Sequence, residues 1–203
     1  MSKRVYISAD YSENDGDRDV VDELHAWGND NKHKVDYVDT AEVVSGSVAD
    51  DEDCRFCDLK KELNKQINAS SAVLFVIGDK TASRTAGSSC KRNSDGENCE
   101  CTPYKQNTKG TKTCKVKGTT RTPGKDEDIG SINTYSFLEH EFKQANRKNK
   151  PIIIVYNSLN NQSSWLPDYM SGYADDAHPF WKKNENGEKV GDYYYIKQAL
   201  GYE

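Results

Sequence analysis

An unbroken apolar run, Ala-Val-Leu-Phe-Val-Ile at residues 72–77, narrows the choice of fold more than any other part of the sequence. A continuous apolar strand is typical of a parallel sheet that is covered on both faces, because a strand with one face in water alternates apolar and polar residues. A second run of this kind occupies residues 151–156, and a shorter one occupies residues 3–8. The sequence therefore predicts a central parallel sheet.

Amphipathic helices are predicted between these strands, and apolar residues spaced three or four apart mark each one. These residues are Val20, Val21, Leu24 and Trp27 in the first helix, Leu59, Leu63 and Ile67 in residues 58–68, and Leu138, Phe142 and Ala145 in residues 135–148. Residues 35–38 form a weaker strand candidate, and the C-terminal part could add a last short strand and helix. Strands that alternate with helices predict βαβ units and right-handed crossovers.

Residues 82–134 interrupt this alternation. The segment is dense in Gly, Thr, Ser, Asn and Lys and has almost no apolar periodicity. A structureless stretch of this length is unusual inside a compact domain. We therefore interpret residues 1–203 as a single domain with an insertion at 82–134, which is either held by its own cross-links or forms a mobile lid.

The cysteines leave three interpretations open. The insertion holds Cys90, Cys99, Cys101 and Cys114, and a Cys-x-x-Cys pair, Cys54 and Cys57, precedes the second helix. Four insertion cysteines could close one tetrahedral structural zinc site, which would keep a loop without a core ordered. Their spacing matches no standard zinc ribbon, so disulfides and free thiols stay as alternatives.

Charge and hydropathy exclude several classes of protein. The 203-residue chain has a formal net charge of −5 and therefore lacks the basic charge balance that is typical of nucleic-acid-binding proteins. No segment approaches the roughly 20 apolar residues that span a membrane. The N-terminus reads as a strand and lacks the apolar stretch of a secretory signal, so we expect a cytoplasmic protein. In that compartment, cysteines are more often thiols or metal ligands than structural disulfides.

Several common catalytic motifs are missing from the sequence. No Gly-x-Gly-x-x-Gly follows the first strand, and there is no Walker A motif and no Gly-x-Ser-x-Gly elbow.

Ligands of open parallel sheets bind beyond the carboxyl ends of the strands. We therefore expect the site among the loop at 8–15, the loop at 39–53, the Gly78-Asp79 turn and the start of the helix at 135–148.

The helix segment Phe137-x3-Glu141-Phe142-x2-Ala145 carries an aromatic residue, a glutamate and an alanine at fixed spacing. This pattern resembles the third helix of TIR and TIR-like domains, with Phe where Trp is commoner, and most closely that of the TIR-like subunits of bacterial Thoeris anti-phage systems. Residues 3–11 look like their first strand and loop, and residues 76–81 resemble their third strand and turn. The resemblance covers residues 3–81 and 135–156, and it implies a flavodoxin/Rossmann-like three-layer fold.

The resemblance also implies NAD chemistry. Enzymatic TIR domains break the bond between nicotinamide and ribose and give ADP-ribose-type products, often a cyclic signal that a separate effector reads. Glu141 would be the catalytic carboxylate, because a fixed carboxylate can stabilise the ribosyl oxocarbenium-like centre. Substrate would be bound by Ser8, Ala9, Asp10 and Tyr11 of the first loop, by Gly78 and Asp79, and by Phe137, which could stack on a ring.

Simpler roles compete with these assignments. Glu141 could be a solvated helix residue, Asp10 a cap of the next turn, Phe137 part of the core, and Gly78 a plain turn glycine. Glu139, two residues from Glu141, is expected on another side of the helix. The histidines at 25, 33 and 140 are expected on the surface, and His178 is expected to pack in an aromatic cluster.

Three other functions stay open at this point. The first is a non-enzymatic TIR adaptor that acts through self-association, which the presence of Glu141 argues against. The second is a nucleoside deoxyribosyltransferase-like enzyme, which also sets a carboxylate against a glycosidic bond. The third is a receiver or flavodoxin-like domain, for which Asp79 is roughly placed as phosphoacceptor, although no acidic pair follows the first strand.

Overall fold

A central sheet of five parallel strands organises the computed structural model, which describes residues 3–11, 16–40, 55–84, 104–106, 112–114, 120–121 and 136–202. The strands are β1 (Lys3–Ser8), β2 (Val35–Asp39), β3 (Ala72–Ile77), β4 (Tyr104–Gln106), β5 (Lys112–Cys114), β6 (Thr120–Arg121), β7 (Ile152–Tyr156), β8 (His178–Pro179), β9 (Trp181–Lys183) and β10 (Lys189–Gly191). The helices are α1 (Arg18–Gly28), α2 (Arg55–Ala69), α3 (Phe137–Arg147) and α4 (Tyr193–Ala199).

The strand order in the central sheet is β2-β1-β3-β7-β8, and every neighbouring pair is parallel. Counted within this sheet, the order is 2-1-3-4-5, one of the two common orders of doubly wound α/β folds. The parallel sheet and the mixed α/β, Rossmann-like class predicted from the sequence are therefore confirmed. The chain leaves β1 in one direction to form β2 and then crosses to β3 on the other side.

Helices cover both faces of the sheet. On one face, α1 and α4 pack on alternate residues of β1 such as Val5 and Ile7. On the other face, α2 and α3 pack on Tyr6 and on alternate residues of β3. All six residues of β3 are buried, as its continuous apolar run predicts. The two-residue period of a strand thus sends Tyr6 toward α3 and its neighbours toward α1.

The start of α3 is set by a capping interaction that matters for the site. The Ser136 hydroxyl accepts a hydrogen bond from Glu139 N at 3.0 Å and so satisfies a donor that the first turn would otherwise leave unpaired. The helix begins at Phe137 and ends at Arg147, close to the predicted bounds of 135–148. This cap fixes which residues of α3 face the sheet.

Two parts of the chain differ from expectation. Within residues 82–134, where no regular structure is predicted, β4, β5 and β6 form a three-stranded antiparallel sheet. These strands have two or three residues each, which is too short for a periodic signal. After β7, the chain adds β8 to the edge of the central sheet, a hairpin of β9 and β10, and α4. None of the helices in the described ranges is long and apolar enough to cross a membrane.

Candidate functional site

A cavity of about 470 Å³ opens beyond the carboxyl ends of β1 and β2, next to the start of α3. The two crossovers diverge from β1 toward opposite sides of the sheet, which is the place where doubly wound folds bind ligands. Ten of the described residues line the cavity: Ala9, Asp10, Tyr11, Thr40, Thr81, Arg84, Ser136, Phe137, Leu138 and Glu141. Its size falls within the range of small-molecule sites, about 300–1,000 Å³.

The Glu141 carboxylate is held by hydroxyl groups from the ends of two strands. Tyr6 Oη donates to Glu141 Oε1 at 2.8 Å, and the Ser8 hydroxyl donates to Oε2. Thr40 Oγ1 lies 3.2 Å from Oε1 and 2.9 Å from Tyr6 Oη. Tyr6 and Ser8 are fully buried, so the carboxylate position is defined by rigid strand residues rather than by loops.

Burial raises the pKa of Glu141 to about 7, although the hydrogen bonds from Ser8, Tyr6 and Thr40 act in the opposite direction. The side chain is only 2% exposed, which penalises the charged form, whereas hydroxyl donors stabilise the carboxylate. The pKa of Tyr6 is raised well above its usual value, by burial first and by the Glu141 charge second. Tyr6 therefore stays a hydrogen-bond donor at neutral pH.

Tyr11 brings a second, partly buried tyrosine to the cavity wall. Burial raises its pKa, and the negative charges of Asp39 and Glu141 raise it further. Asp39 ends β2, and its Oδ2 lies 2.7 Å from His25 Nε2 of α1. The Tyr11 hydroxyl consequently remains protonated, and the Asp39 carboxylate is its hydrogen-bond acceptor.

Arg84 and Asp10 form an ion pair at the mouth of the cavity. Arg84 Nε donates to Asp10 Oδ2 at 2.6 Å, with the Arg84 side chain 39% exposed and that of Asp10 14% exposed. The backbone carbonyl of Asp10 accepts from Asp17 N at 2.7 Å, which ties the two ends of the first loop together. Asp10 thus orients a guanidinium group beside the cavity.

Gly78 and Asp79 lie outside this cavity. A Cβ atom at Gly78 would lie 2.6 Å from Asp17 Oδ1, so this glycine allows the buried Asp17 carboxyl group to approach the backbone at the end of β3. Asp17 also accepts from Asn157 Nδ2 at 3.0 Å. Burial raises the pKa of Asp17 to about 7, and the charge of Asp10 adds to this effect. Asp79 is exposed.

The structure brings together most of the residues that the sequence singles out. One cavity is lined by Ala9, Asp10, Tyr11, Phe137 and Glu141. Ser8 does not line it, but its hydroxyl donates a hydrogen bond to Glu141. Phe137 also packs against the core, so its two proposed roles are compatible. Glu139 lies outside the cavity on another side of α3, where Lys143 Nζ pairs with its Oε1 at 2.7 Å.

Five further residues of the site were not singled out from the sequence, although Thr40 and Ser136 fall in segments where the site is expected: Tyr6, Thr40, Thr81, Arg84 and Ser136. Tyr6 lies inside a strand, where a tyrosine usually signals only core packing. Arg84 belongs to the segment interpreted as an insertion. The sequence does carry a signal for Ser136, because Ser followed three residues later by Glu is the pattern of a helix capping box.

The expectation that His140 lies on the surface is wrong. Its side chain is fully buried. The helix α3 is covered on more than one side, because Gln144 Nε2 donates to Asn68 Oδ1 of α2 at 2.7 Å and Phe142 packs on Tyr169 and Tyr173. A surface position is therefore not available one residue before Glu141.

The other three histidines behave closer to expectation. His25 and His33 are half-buried, and His25 pairs with Asp39. His178 stacks on Tyr195, with ring centroids 4.0 Å apart, so the predicted aromatic packing is confirmed. None of the three lines the Glu141 cavity.

The zinc hypothesis concerns a part of the chain outside these observations. Cys90, Cys99 and Cys101 lie outside the described residues, and only the backbone of Cys114 is described. Within the described ranges, no group of three or more His, Cys, Asp or Glu side chains is arranged to hold a metal ion. A structural zinc bound by the insertion stays a prediction.

The cavity combines one buried carboxyl group, phenol and alcohol donors, and an apolar wall of Phe137 and Leu138. Such a set can stabilise positive charge that develops on a polar, hydroxyl-bearing ligand. No protein-family model matches the sequence, and no curated protein sequence matches it significantly. The function is therefore inferred from the chemistry of the residues around Glu141.

Proposed function

We propose that the protein is a TIR-like enzyme that consumes NAD by breaking the bond between nicotinamide and ribose. The observation that carries the proposal is the buried Glu141 carboxylate, which Tyr6 and Ser8 hold at the wall of a cavity beyond β1. A carboxyl group buried in a cleft with a shifted pKa is a typical mark of a functional site. The motif around Glu141 that resembles TIR domains gives this carboxylate its chemical role.

The reaction breaks the bond between C1′ of the ribose and the ring nitrogen of nicotinamide. The electron pair of that bond goes to the nitrogen, which loses its positive charge, and C1′ becomes an oxocarbenium-like centre. The Glu141 carboxylate stabilises this centre electrostatically. Water then adds to C1′ and gives up a proton, or a nucleophile on the same molecule adds and closes a ring.

The hydroxyl partners leave Glu141 one oxygen suited to the substrate. Oε1 faces both Tyr6 and Thr40, whereas Oε2 has Ser8 as its partner among the described residues. Each carboxylate oxygen can accept about two hydrogen bonds. We therefore assign Oε2 to the ribose hydroxyls. A cationic pyridinium ring nearby favours the ionised form of Glu141, so binding of substrate itself prepares the carboxylate.

The remaining walls fit the other parts of such a substrate. Phe137 and Leu138 supply apolar surface for the nicotinamide ring, and Tyr11 adds a further aromatic residue to the cavity wall. We further propose that the product is an ADP-ribose-type signal, linear or cyclic, that a separate effector reads in anti-phage defence. The shape of the cavity around C1′ would decide between water and an internal nucleophile.

The direct test is NAD turnover by wild type and Glu141→Gln, followed by chromatography and mass spectrometry. We expect the glutamine variant to lose at least about 100-fold in rate, because an amide cannot supply negative charge to the oxocarbenium centre. Glu62→Gln is the matched control, since Glu62 is a partly buried helix glutamate outside the cavity that pairs with Lys65. It should keep full activity.

Three results would contradict the proposal. Turnover that is equal in wild type and Glu141→Gln would remove the catalytic role of the carboxylate. Absence of NAD turnover at high protein concentration and in lysate of phage-infected cells would favour an adaptor. Base exchange on deoxynucleosides by the same preparations would instead identify a deoxyribosyltransferase-like enzyme.

A further inference from the structure

A second cavity of about 330 Å³ adjoins the cavity that contains Glu141. Thr81, Arg84 and Ser136 line both cavities, so the two cavities meet at these three residues. The far side of the second cavity comes from the segment after β7, which forms short 3-10 helices at Ser163–Trp165 and Asp168–Tyr173. Two cavities that meet at shared lining residues can hold two parts of one ligand.

The second cavity has the chemistry of a nucleoside site. Leu166, Pro167 and Tyr169 supply apolar and aromatic surface for a flat base. Glu139 and Asp168 bring carboxylates, which accept hydrogen bonds from amino groups and ribose hydroxyls. Burial raises the pKa of Tyr169, so its hydroxyl stays protonated. Lys143 Nζ already pairs with Glu139 Oε1, so the Asp168 carboxylate is the group that disfavours a phosphate in this cavity and can accept hydrogen bonds from a nucleoside.

Arg84 lies where a linker between the two parts of a ligand would pass. Its Nε donates to Asp10 at 2.6 Å, which fixes the plane of the guanidinium group. Guanidinium groups carry five N–H donors in a rigid fork that suits phosphate oxygens. Among the described residues that line either cavity, Arg84 is the cationic one.

We propose that the substrate spans both cavities, with its nicotinamide riboside part beside Glu141, its phosphates against Arg84 and its second nucleoside between Tyr169 and Asp168. This inference rests on the proposed function, because it assigns the second half of a dinucleotide substrate. It makes Arg84 and the 164–169 segment the determinants that select a dinucleotide over a mononucleotide. The reactive cavity alone would accept nicotinamide riboside.

Binding to a Glu141→Gln background tests this assignment without turnover. Calorimetry would compare NAD, nicotinamide mononucleotide and nicotinamide riboside on that protein. We expect NAD to bind at least about tenfold more tightly than the mononucleotide, because it alone fills the second cavity. Equal affinity of NAD and the mononucleotide, or no measurable binding of NAD at millimolar concentration, overturns the inference.

Two added substitutions separate the phosphate contact from the nucleoside contact. Arg84→Gln should weaken NAD and the mononucleotide by about tenfold and leave the riboside unchanged, since the riboside has no phosphate. Lys80→Gln removes the same charge from an exposed residue outside both cavities and should change none of the affinities. Equal effects of the two substitutions would show a general charge effect and contradict the role of Arg84.

Ser164→Trp should fill the second cavity from its exposed rim. We expect it to abolish the advantage of NAD over the mononucleotide while mononucleotide binding is kept, which also demonstrates a folded protein. Ser163→Trp, at an exposed neighbour outside the cavity, is the control and should keep the advantage. If wild type turns over NAD through Glu141 but Ser164→Trp keeps the preference for NAD, the inference fails and the proposed function stands.

Discussion

At Glu141 the protein keeps an ionisable group almost out of contact with water. The side chain is 2% exposed, and hydroxyl groups of Tyr6 and Ser8 take the place of solvent. Burial favours the neutral acid, the hydroxyl donors favour the carboxylate, and the pKa settles at about 7. An ordinary glutamate is ionised throughout the physiological range, whereas the charge of Glu141 changes most near neutral pH.

Substitution of Tyr6 by Phe should move the pH profile of the enzyme. The change removes a donor to Glu141 Oε1, and loss of a hydrogen bond to the charged form raises the pKa of the carboxyl group by about one unit. Because the proposed reaction needs the carboxylate, kcat/KM should rise with pH through about 7 in wild type and about one unit higher in Tyr6→Phe.

Tyr37→Phe is the matched control for this measurement. Tyr37 is also a buried strand tyrosine, but its hydroxyl makes no hydrogen bond to any described residue and lies outside the Glu141 cavity. Its pH profile should equal that of wild type. An unchanged profile in Tyr6→Phe would mean that the limb near pH 7 reports a group other than Glu141.

The sequence predicts individual site residues unevenly. Glu141 and Ser8 can be placed together because the carboxyl end of a first strand and the start of a later helix meet at one edge of a parallel sheet. Tyr6 cannot, since an aromatic residue in a strand looks the same whether its hydroxyl is used or not. Arg84 is invisible as well, because its segment has no periodicity that would fix where it lies. The surface position expected for His140 is wrong because helix spacing alone does not reveal that α3 is covered on several sides.

At the scale of elements, one lysine holds α4 to the turn between α1 and β2. Lys197 Nζ donates to the carbonyl of His33 at 2.6 Å and to that of Trp27 at 3.4 Å, and the residue is only 3% exposed. Asp30 Oδ2 lies 4.0 Å from the same nitrogen. Burial lowers the pKa of Lys197, while the Asp30 charge opposes this effect.

Lys197→Met should lower the free energy of unfolding by about 1–3 kcal/mol, because the buried carbonyl groups lose their donor while the side-chain volume is kept. Urea denaturation followed by fluorescence measures the loss, and binding of NAD should stay unchanged because Lys197 lines neither cavity. Lys183→Met removes an exposed lysine of β9 and should change stability by less than about 0.5 kcal/mol. Equal stability of both variants would contradict the anchoring role of Lys197.

The elements themselves differ in how clearly the sequence encodes them. β3 and β7 are recognisable because both faces are buried and every residue is apolar. β8 has two residues, and a pair of residues has no measurable period; its place in the sheet comes from pairing with β7. The strands β4–β6 have two or three residues each, so they also have no measurable period. Tertiary contacts, rather than local sequence, therefore decide these elements.

At the scale of the whole molecule, the sheet order places two buried carboxyl groups near the same edge. Glu141 lies at the end of β1, where the Ser8 hydroxyl donates to it. Asp17 lies between the end of β3 and Asn157, which follows β7. Both have a pKa of about 7 in the folded state, against ordinary values of 4.5 and 3.8. The folded protein consequently holds more protons at these two groups than the unfolded chain between about pH 4 and pH 7.

This difference in bound protons predicts the pH dependence of stability. Where the folded state binds more protons, the free energy of unfolding falls as pH rises, so Asp17 and Glu141 together favour the fold at pH 5 over the fold at pH 8. Each unit of pKa difference corresponds to ~1.4 kcal/mol, which makes the contribution of Asp17 a few kcal/mol. The decline levels off about one unit above the folded-state pKa values, where both carboxyl groups are ionised in the folded and the unfolded protein.

Asp17→Asn should remove the part of this decline that belongs to Asp17, because the amide keeps an oxygen for Asn157 and does not titrate. Urea denaturation at pH 5 and pH 8 should therefore give a smaller difference in unfolding free energy for the variant than for wild type. Asp19→Asn is the control, since the Asp19 side chain is 47% exposed and contacts the same Asn157 amide. If Asp17→Asn and Asp19→Asn alter the difference equally, burial of Asp17 is not its cause; if only Asp17→Asn flattens it, the buried carboxyl group beside Gly78 is the source.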